Sequence, residues 1–328
     1  MFRFVLLTSL LVVGLAEVTR GDDAKQMRVG VIGLDTSHSL AFTRMLNAEK
    51  PAKEFAGFRV VAAYPHGSKD IQSSVSRIPG YTKDIGKLGV EVVDSIDALL
   101  EKVDCVLLET NDGRPHLEQA LQVMKAGKPM FIDKPVSASL EDAIAIYRAA
   151  RRHKVPVFSS SSLRFGANSQ AARAGSLGKI SYCETHSPCS IEKTHPDLFW
   201  YGIHGVESLF TVMGTGCESV QRSEVDGKIV VRGTWKGGRV GVYKEGKGYG
   251  GSAKGEKGEA KVGSFDGYQP LLVEIVKFFR TGKPPVSAQE TVEIYAFMAA
   301  ADESKRQGGK SIMLKPLMKK AAEASKQN

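Results

Sequence analysis

Cysteine is scarce: four in 328 residues. That is too few for a disulfide-built scaffold, and a chain this long buries a core without one. Charge of one sign is also scarce, since 45 Lys and Arg stand against 36 Asp and Glu, a net +9. The densest basic stretch, residues 244–261, is interleaved with Glu245, Glu256, Glu259 and many glycines. It carries no RNA-binding or helix-turn-helix signature, so it reads as a solvated lysine-rich loop and nucleic acid is excluded as a partner. Past the N-terminus no apolar run approaches the about 20 residues of a membrane span. Hydrophobic (42%) and charged (25%) contents are ordinary, which excludes disorder, collagen and coiled coil as whole-chain descriptions. At about 150 residues per domain, the length predicts two domains.

Residues 1–21 read as a secretory signal. Arg3 supplies a basic start, residues 4–16 are apolar apart from Thr8, Ser9 and Gly14, and Gly14-Leu15-Ala16 has the small-x-small form of a cleavage site. An N-terminal membrane anchor is the competing reading. The expectation is an exported chain, periplasmic or secreted, in which Cys105, Cys183, Cys189 and Cys217 could pair in three ways. Cys105 falls inside a predicted strand and is expected to stay a free thiol.

Short β-branched apolar runs at 27–33, 58–63, 104–110, 129–132 and 155–158 alternate with helical periodicity. Leu117, Ala120, Leu121 and Met124 mark one helix, stopped by Gly127, and Ser139 with Asp142 forms a capping box before another. Such alternation forces right-handed parallel crossovers, so residues 22–160 are predicted to form a doubly wound Rossmann-type parallel sheet of the α/β class. Residues 161–328 change character. Strands are expected over 180–190, 228–235 and 239–243, with Trp235-Lys-Gly-Gly238 as a hairpin turn, and amphipathic helices over 271–281 and 288–307. This is an α+β domain with a mainly antiparallel open sheet, suited to substrate binding or homo-oligomer contacts, whose C-terminal helix packs back on the first domain.

Doubly wound sheets bind ligands at the carboxyl ends of their strands. The first such loop is Gly33-Leu-Asp35-Thr-Ser-His38. Against the phosphate-binding pattern G-x-G-x-x-G only Gly33 survives, and Asp35 and His38 occupy the other glycine positions. A carboxylate about 4 Å from a phosphate repels it by about 4 kcal/mol at an effective dielectric near 20. Two escapes exist: Asp35 turns away to cap the helix through the Thr36 and Ser37 amides, or a protonated His38 offsets it. After the second strand, where a ribose-binding acid belongs, stands Tyr64-Pro-His-Gly-Ser-Lys69. Ser68 and Lys69 suit a 2′-phosphate, which favours NADP over NAD, and absence of any dinucleotide is the remaining alternative.

Asp133-Lys134-Pro135 after a strand, Thr110-Asn-Asp-Gly-Arg-Pro-His116, Arg164, Gly175-Ser-Leu-Gly-Lys179 and Gly202-Ile-His204 together resemble the Gfo/Idh/MocA oxidoreductases, which are two-domain NAD(P)-dependent enzymes of sugars and polyols. The resemblance implies that Lys134 exchanges the substrate hydroxyl proton while hydride moves, and that Thr110, Asn111, His116 and Asp133 line the cofactor site. It makes His204 the catalytic or substrate-orienting histidine. Trp200 stands where the family commonly has an acid, and Glu207 shares a helical face with His204, so His204 and Glu207 are expected as a catalytic pair. Arg164, Trp200 and Tyr201 complete the implied substrate pocket. Cys183, His186 and Cys189, three apart on a strand, face opposite sides, so no metal is expected. Two other functions are open: an NAD-dependent glycoside hydrolase that recycles its cofactor, and a non-catalytic carbohydrate-binding protein.

Overall fold

The computed structural model describes residues 26–326. The signal-peptide expectation for residues 1–21 lies outside them. In the first half, strands β1 (Met27–Ile32), β2 (Phe58–Tyr64), β3 (Glu91–Val92), β4 (Cys105–Leu108), β5 (Met130–Ile132) and β6 (Val157–Ser159) alternate with helices. These helices are α1 (Ser37–Leu46), α2 (Gln72–Lys87), α3 (Ile96–Leu100), α4 (His116–Lys125) and α5 (Leu140–His153). The strands pair in parallel in the order β3-β2-β1-β4-β5-β6. Strand order therefore reverses between β1 and β4, the place where a doubly wound sheet opens a ligand crevice. β4, β5 and β6 are buried at every position, which is why their sequences are unbroken apolar runs rather than alternating ones.

The second half holds α6 (Ala167–Arg173), β7 (Ile180–Ser187), α7 (Ile203–Met213), β8 (Cys217–Val225), β9 (Lys228–Trp235), β10 (Arg239–Glu245), β11 (Gly250–Gly255) and β12 (Gly258–Lys261). Then follow α8 (Gln269–Thr281), α9 (Ala288–Arg306), β13 (Ile312–Met313) and α10 (Leu314–Ala324). Seven strands form one open sheet, β12-β11-β7-β10-β9-β8-β13. Its pairs are antiparallel except β7 with β10. The β9–β10 turn places Gly237 and Gly238 at φ +78° and +76°, a region that favours residues without a Cβ.

The two halves share their cores. α8 contributes Leu271, Ile275 and Phe278 to the apolar cluster of β1, β4 and α1, together with Phe131 and Phe158. α10 lies against α5, and Arg148 donates to the Ala322 carbonyl at 2.9 Å. Residues 244–261, expected as a solvated loop, instead form much of β11 and β12, with Lys244 paired to Glu184 across to β7. All four cysteines are buried free thiols, so none of the three disulfide pairings is formed. Burial pushes the Cys189 thiol up to about 11 and the other three higher still, which leaves them unreactive.

Candidate active site

The crevice at the switch point begins with Gly33, whose φ is +97°. A Cβ there would stand 2.3 Å from the Thr110 backbone nitrogen, so glycine is what lets the loops after β1 and β4 touch. Asp35 is fully buried and turned into this junction, where it accepts from Ser74 Oγ at 2.5 Å and from the Asn111 amide at 2.9 Å. It does not cap α1. That role falls to Thr36, whose hydroxyl accepts from the His38 amide at 3.2 Å. Burial pushes the Asp35 carboxyl up to about 6, against the pull of its two hydrogen bonds. Its carbonyl accepts from Arg77 on α2 at 3.1 Å.

His38 does not offset Asp35 either. Its Nδ1 lies 2.8 Å from Asp133 Oδ2, and its ring meets Tyr268 edge-on at 4.6 Å. Burial of Asp133 works against its ionisation, yet the His38 and Lys134 charges beside it overcome that penalty and hold it at about 2. Lys134 Nζ stands 3.9 Å from the same oxygen.

A cavity of about 300 Å³ opens here, between the N-terminus of α1 and the second domain. That is the lower end of the range for ligand sites. Ser37, Asn111, Lys134, Trp200, Tyr201 and His204 all line it, and Asp35 does not. His204, in the first turn of α7, accepts or donates at Nδ1 to Ser161 Oγ, 2.7 Å away. The Ser161 oxygen also accepts from the Leu163 amide; with its own hydrogen donated to His204 Nδ1, the imidazole proton sits on Nε2. Burial, then the Lys134 and His38 charges, hold His204 well below the usual histidine range, so it is neutral.

Several expected residues lie elsewhere. Glu207 is not paired with His204 and does not line the cavity. It accepts from Arg164 Nε at 2.5 Å and from Ser160 Oγ at 3.0 Å. Arg164 is 2% exposed and also donates to Glu290 at 2.7 Å, making a buried ion network rather than a substrate contact. The shared helical face was real, but Arg164 faces Glu207 there. Ser68 donates to Asp112, and Lys69 is exposed. Arg114 bridges Asp112 and Asp70 beside them. Thr110 bonds Gln119 at 3.1 Å. His116, fully buried, lies between the carbonyls of Thr110 and Val136, 2.8 Å from the first at Nε2 and 3.3 Å from the second at Nδ1, and its one N–H serves the nearer, so it packs between the loops after β4 and β5.

Other lining residues were not read from the sequence. Ser73 and Arg77 come from α2, while Tyr249 and Tyr268 come from loops of the second domain. Tyr249 bonds Tyr201 hydroxyl to hydroxyl at 3.0 Å, and Tyr268 reaches Ser37 at 3.2 Å. Only a signal for α2 itself would have exposed Arg77, and there Pro79 and Gly80 break into the helical spacing of Val75, Ile78 and Ile85.

Residues 27–161 match the family model described as the oxidoreductase family with an NAD-binding Rossmann fold. An uncharacterised oxidoreductase of Streptococcus pneumoniae is 27% identical over 120 residues, covering 35% of this chain and 32% of that protein. Inositol 2-dehydrogenase of Rhodococcus erythropolis is 27% identical over 128 residues, 39% of this chain and 33% of that protein. The matched stretch thus spans about a third of the length of each curated relative. The fold of scyllo-inositol dehydrogenase from Lactobacillus casei, solved with NAD(H) and scyllo-inositol, superposes with a TM-score of 0.71 at 14% identity. The match covers 88% of this chain and 99% of that one. With the Rossmann strand order, the glycine at the β1 turn and Asp133-Lys134-Pro135 at the end of β5, residues 27–161 are similar to the NAD-binding Rossmann domain of the Gfo/Idh/MocA oxidoreductases.

Proposed function

We propose that this protein is an oxidoreductase that moves hydride between NAD and a hydroxyl-bearing carbon of a polyol or sugar. One observation carries the reading: Lys134 and His204 converge on a single cavity at the N-terminus of α1, while the Asp35 carboxylate is directed out of it. The residues fit a dinucleotide on this evidence of orientation. The α1 N-terminus and the Arg77 guanidinium face the cavity, and together they offer the amides, dipole and positive charge that a diphosphate needs.

Nicotinamide, when bound, supplies the hydride acceptor or donor. Lys134 Nζ takes the substrate hydroxyl proton in oxidation and returns it in reduction. The ionised Asp133 beside it stabilises the ammonium so formed. His204 donates its Nε2 proton to the reacting oxygen and holds it towards Lys134. Trp200, Tyr201 and Tyr249 give the pocket apolar faces with hydroxyl tips, the pairing that a polyol's alternating C–H and O–H surfaces require.

The expectation of NADP loses its basis, because Ser68 is committed to Asp112 and a 2′-phosphate near it would meet the Asp70 and Asp112 carboxylates. NAD is the cofactor proposed, in line with the NAD(H) carried by the scyllo-inositol dehydrogenase. The hydrolase and non-catalytic readings gain no support from the comparisons. Export through residues 1–21 is part of the proposal, supported by the basic start and apolar run, and N-terminal sequencing of cell-exported protein tests it.

The test of function is thermal shift of the full chain with NAD(H) and NADP(H), followed by absorbance assays over a panel of inositols and sugars. NAD(H) should raise the melting temperature more than NADP(H) does. No shift with any of the four nucleotides would refute the reading.

A further inference from the structure

Three buried acceptor oxygens near the cavity have no hydrogen-bond donor: both carboxylate oxygens of Glu109, at the end of β4, and Oδ1 of Asp133, after β5. Both residues are 0% exposed. The Thr36 hydroxyl is the polar side chain that acts on Glu109 here, yet neither carboxylate oxygen has a donor at full hydrogen-bond geometry. Native interiors rarely leave buried carboxyl oxygens without partners in this way. The third neighbour is His38, and one ligand atom each from His38, Glu109 and Asp133 lie within 4.8 Å of one another. His38 also forms part of the cavity wall, so the cluster has a route to solvent.

We infer that His38, Glu109 and Asp133 form a site for a divalent transition cation, zinc or manganese. The donors are one imidazole nitrogen and carboxylate oxygens, a mixed set that suits these ions. Calcium asks for about six to eight oxygens, which three side chains in this enclosure do not provide. Uptake replaces one contact with another. The His38–Asp133 hydrogen bond opens, Nδ1 gives up its proton to solvent and its lone pair to the ion, and the Glu109 carboxyl releases its own proton to join as the third ligand. Cation uptake therefore releases protons. The ion would tie the first turn of α1 to the ends of β4 and β5, which are walls of the same crevice. Its role is to fix those walls, and it is independent of whether NAD or another compound occupies the crevice.

Metal content and stability test this without any nucleotide. The full chain, expressed in medium supplemented with zinc or manganese, should retain about one equivalent after gel filtration. Chelator should lower its melting temperature, and adding back Zn²⁺ or Mn²⁺ should restore it. Titrating the chelated protein in weak buffer should release protons. Glu109→Gln keeps the shape of the side chain and should abolish retention and the metal-dependent shift, and His38→Gln should do the same should the first variant fail to fold. Wild-type protein with no retained metal and no shift on adding either ion overturns the inference. So does metal binding that survives unchanged in both variants, since the ion would then sit elsewhere.

Discussion

Replacing Asp35 by asparagine separates two effects of an acid in a phosphate loop, its burial and its direction. The folded carboxyl titrates near about 6, raised by burial from an ordinary 3.8. The unfolded chain therefore ionises first as pH rises. The contribution of this group to stability is full below about pH 4 and is lost as pH climbs through about 6. The gap of about 2 units corresponds to about 3 kcal/mol of destabilisation above pH 6. Asparagine keeps an acceptor for the Asn111 amide and can donate to Ser74 Oγ, so Asp35→Asn should recover most of that loss. For some 300 ordered residues this is about 5 °C in melting temperature near pH 7.5 and about half of it near pH 5. Differential scanning calorimetry at several pH values reads it directly. A stabilisation independent of pH, or none, refutes the burial argument. Direction is tested by NAD affinity in the same variant. An acid aimed at the diphosphate would repel it by about 4 kcal/mol, close to a thousandfold in Kd. With the carboxylate held by Ser74 and Asn111 instead, the change should stay below about tenfold, and a thousandfold gain would show that the loop reorients when NAD binds.

Two further outcomes bear on the chemistry. Lys134→Met should reduce kcat by about a thousandfold or more while moving the melting temperature by no more than about a degree, since its side chain is 12% exposed and its ion-pair partner, Asp133, stands as far off as 3.9 Å; steady-state kinetics and calorimetry check both halves. Ser161→Ala removes the partner that sets the His204 tautomer, and should lower kcat by about tenfold with little change in KM, about the worth of one well-placed hydrogen bond. A Ser161→Thr variant, which keeps the hydroxyl, should recover most of the rate.

The parallel sheet was legible because each of β4, β5 and β6 is buried on both faces, and such strands are written as continuous apolar runs. Lys134 and His204 were legible because short motifs stand at a strand end and at a helix start. α2 was not, since Gln72–Lys87 contains three serines, Pro79, Gly80 and Gly86 and buries only Ser74 and Ile85. Val75, Ile78 and Ile85 keep helical spacing, but Pro79 and Gly80 interrupt the segment and mask that period, and Arg77 went unseen with it. α8 was read as amphipathic, yet periodicity cannot say which sheet an apolar face will meet, and its partners turned out to be strands of the first domain. The β11–β12 hairpin shows the same limit from the other side. Its glycines and interleaved charges describe a solvated surface correctly, but the pairing of β11 with β7 and the placing of Tyr249 at the cavity depend on backbone contacts that leave no mark on composition.

Arg164 offers the sharpest separation of structural from substrate-binding roles. The guanidinium spans Glu207 and Glu290, all three side chains being 5% exposed or less, and Arg173 adds a second cation on Glu290 from a position 36% exposed. Arg164→Met keeps much of the volume but strands Glu207 with only Ser160 Oγ as a donor. Removing one partner of a buried pair leaves an uncompensated charge and should cost about 3–5 kcal/mol. Arg173→Met breaks an ion pair that water already screens, and should cost about 1 kcal/mol or less. Glu207→Gln in the Arg164→Met background should recover part of the loss, because the stranded charge is then gone. Urea midpoints of the four proteins measure this ordering. KM provides the contrary check: an arginine that touched substrate would raise KM severalfold when replaced and leave the midpoint almost where it was, and that result would return Arg164 to the pocket and dissolve the assignment of Glu207 to the core.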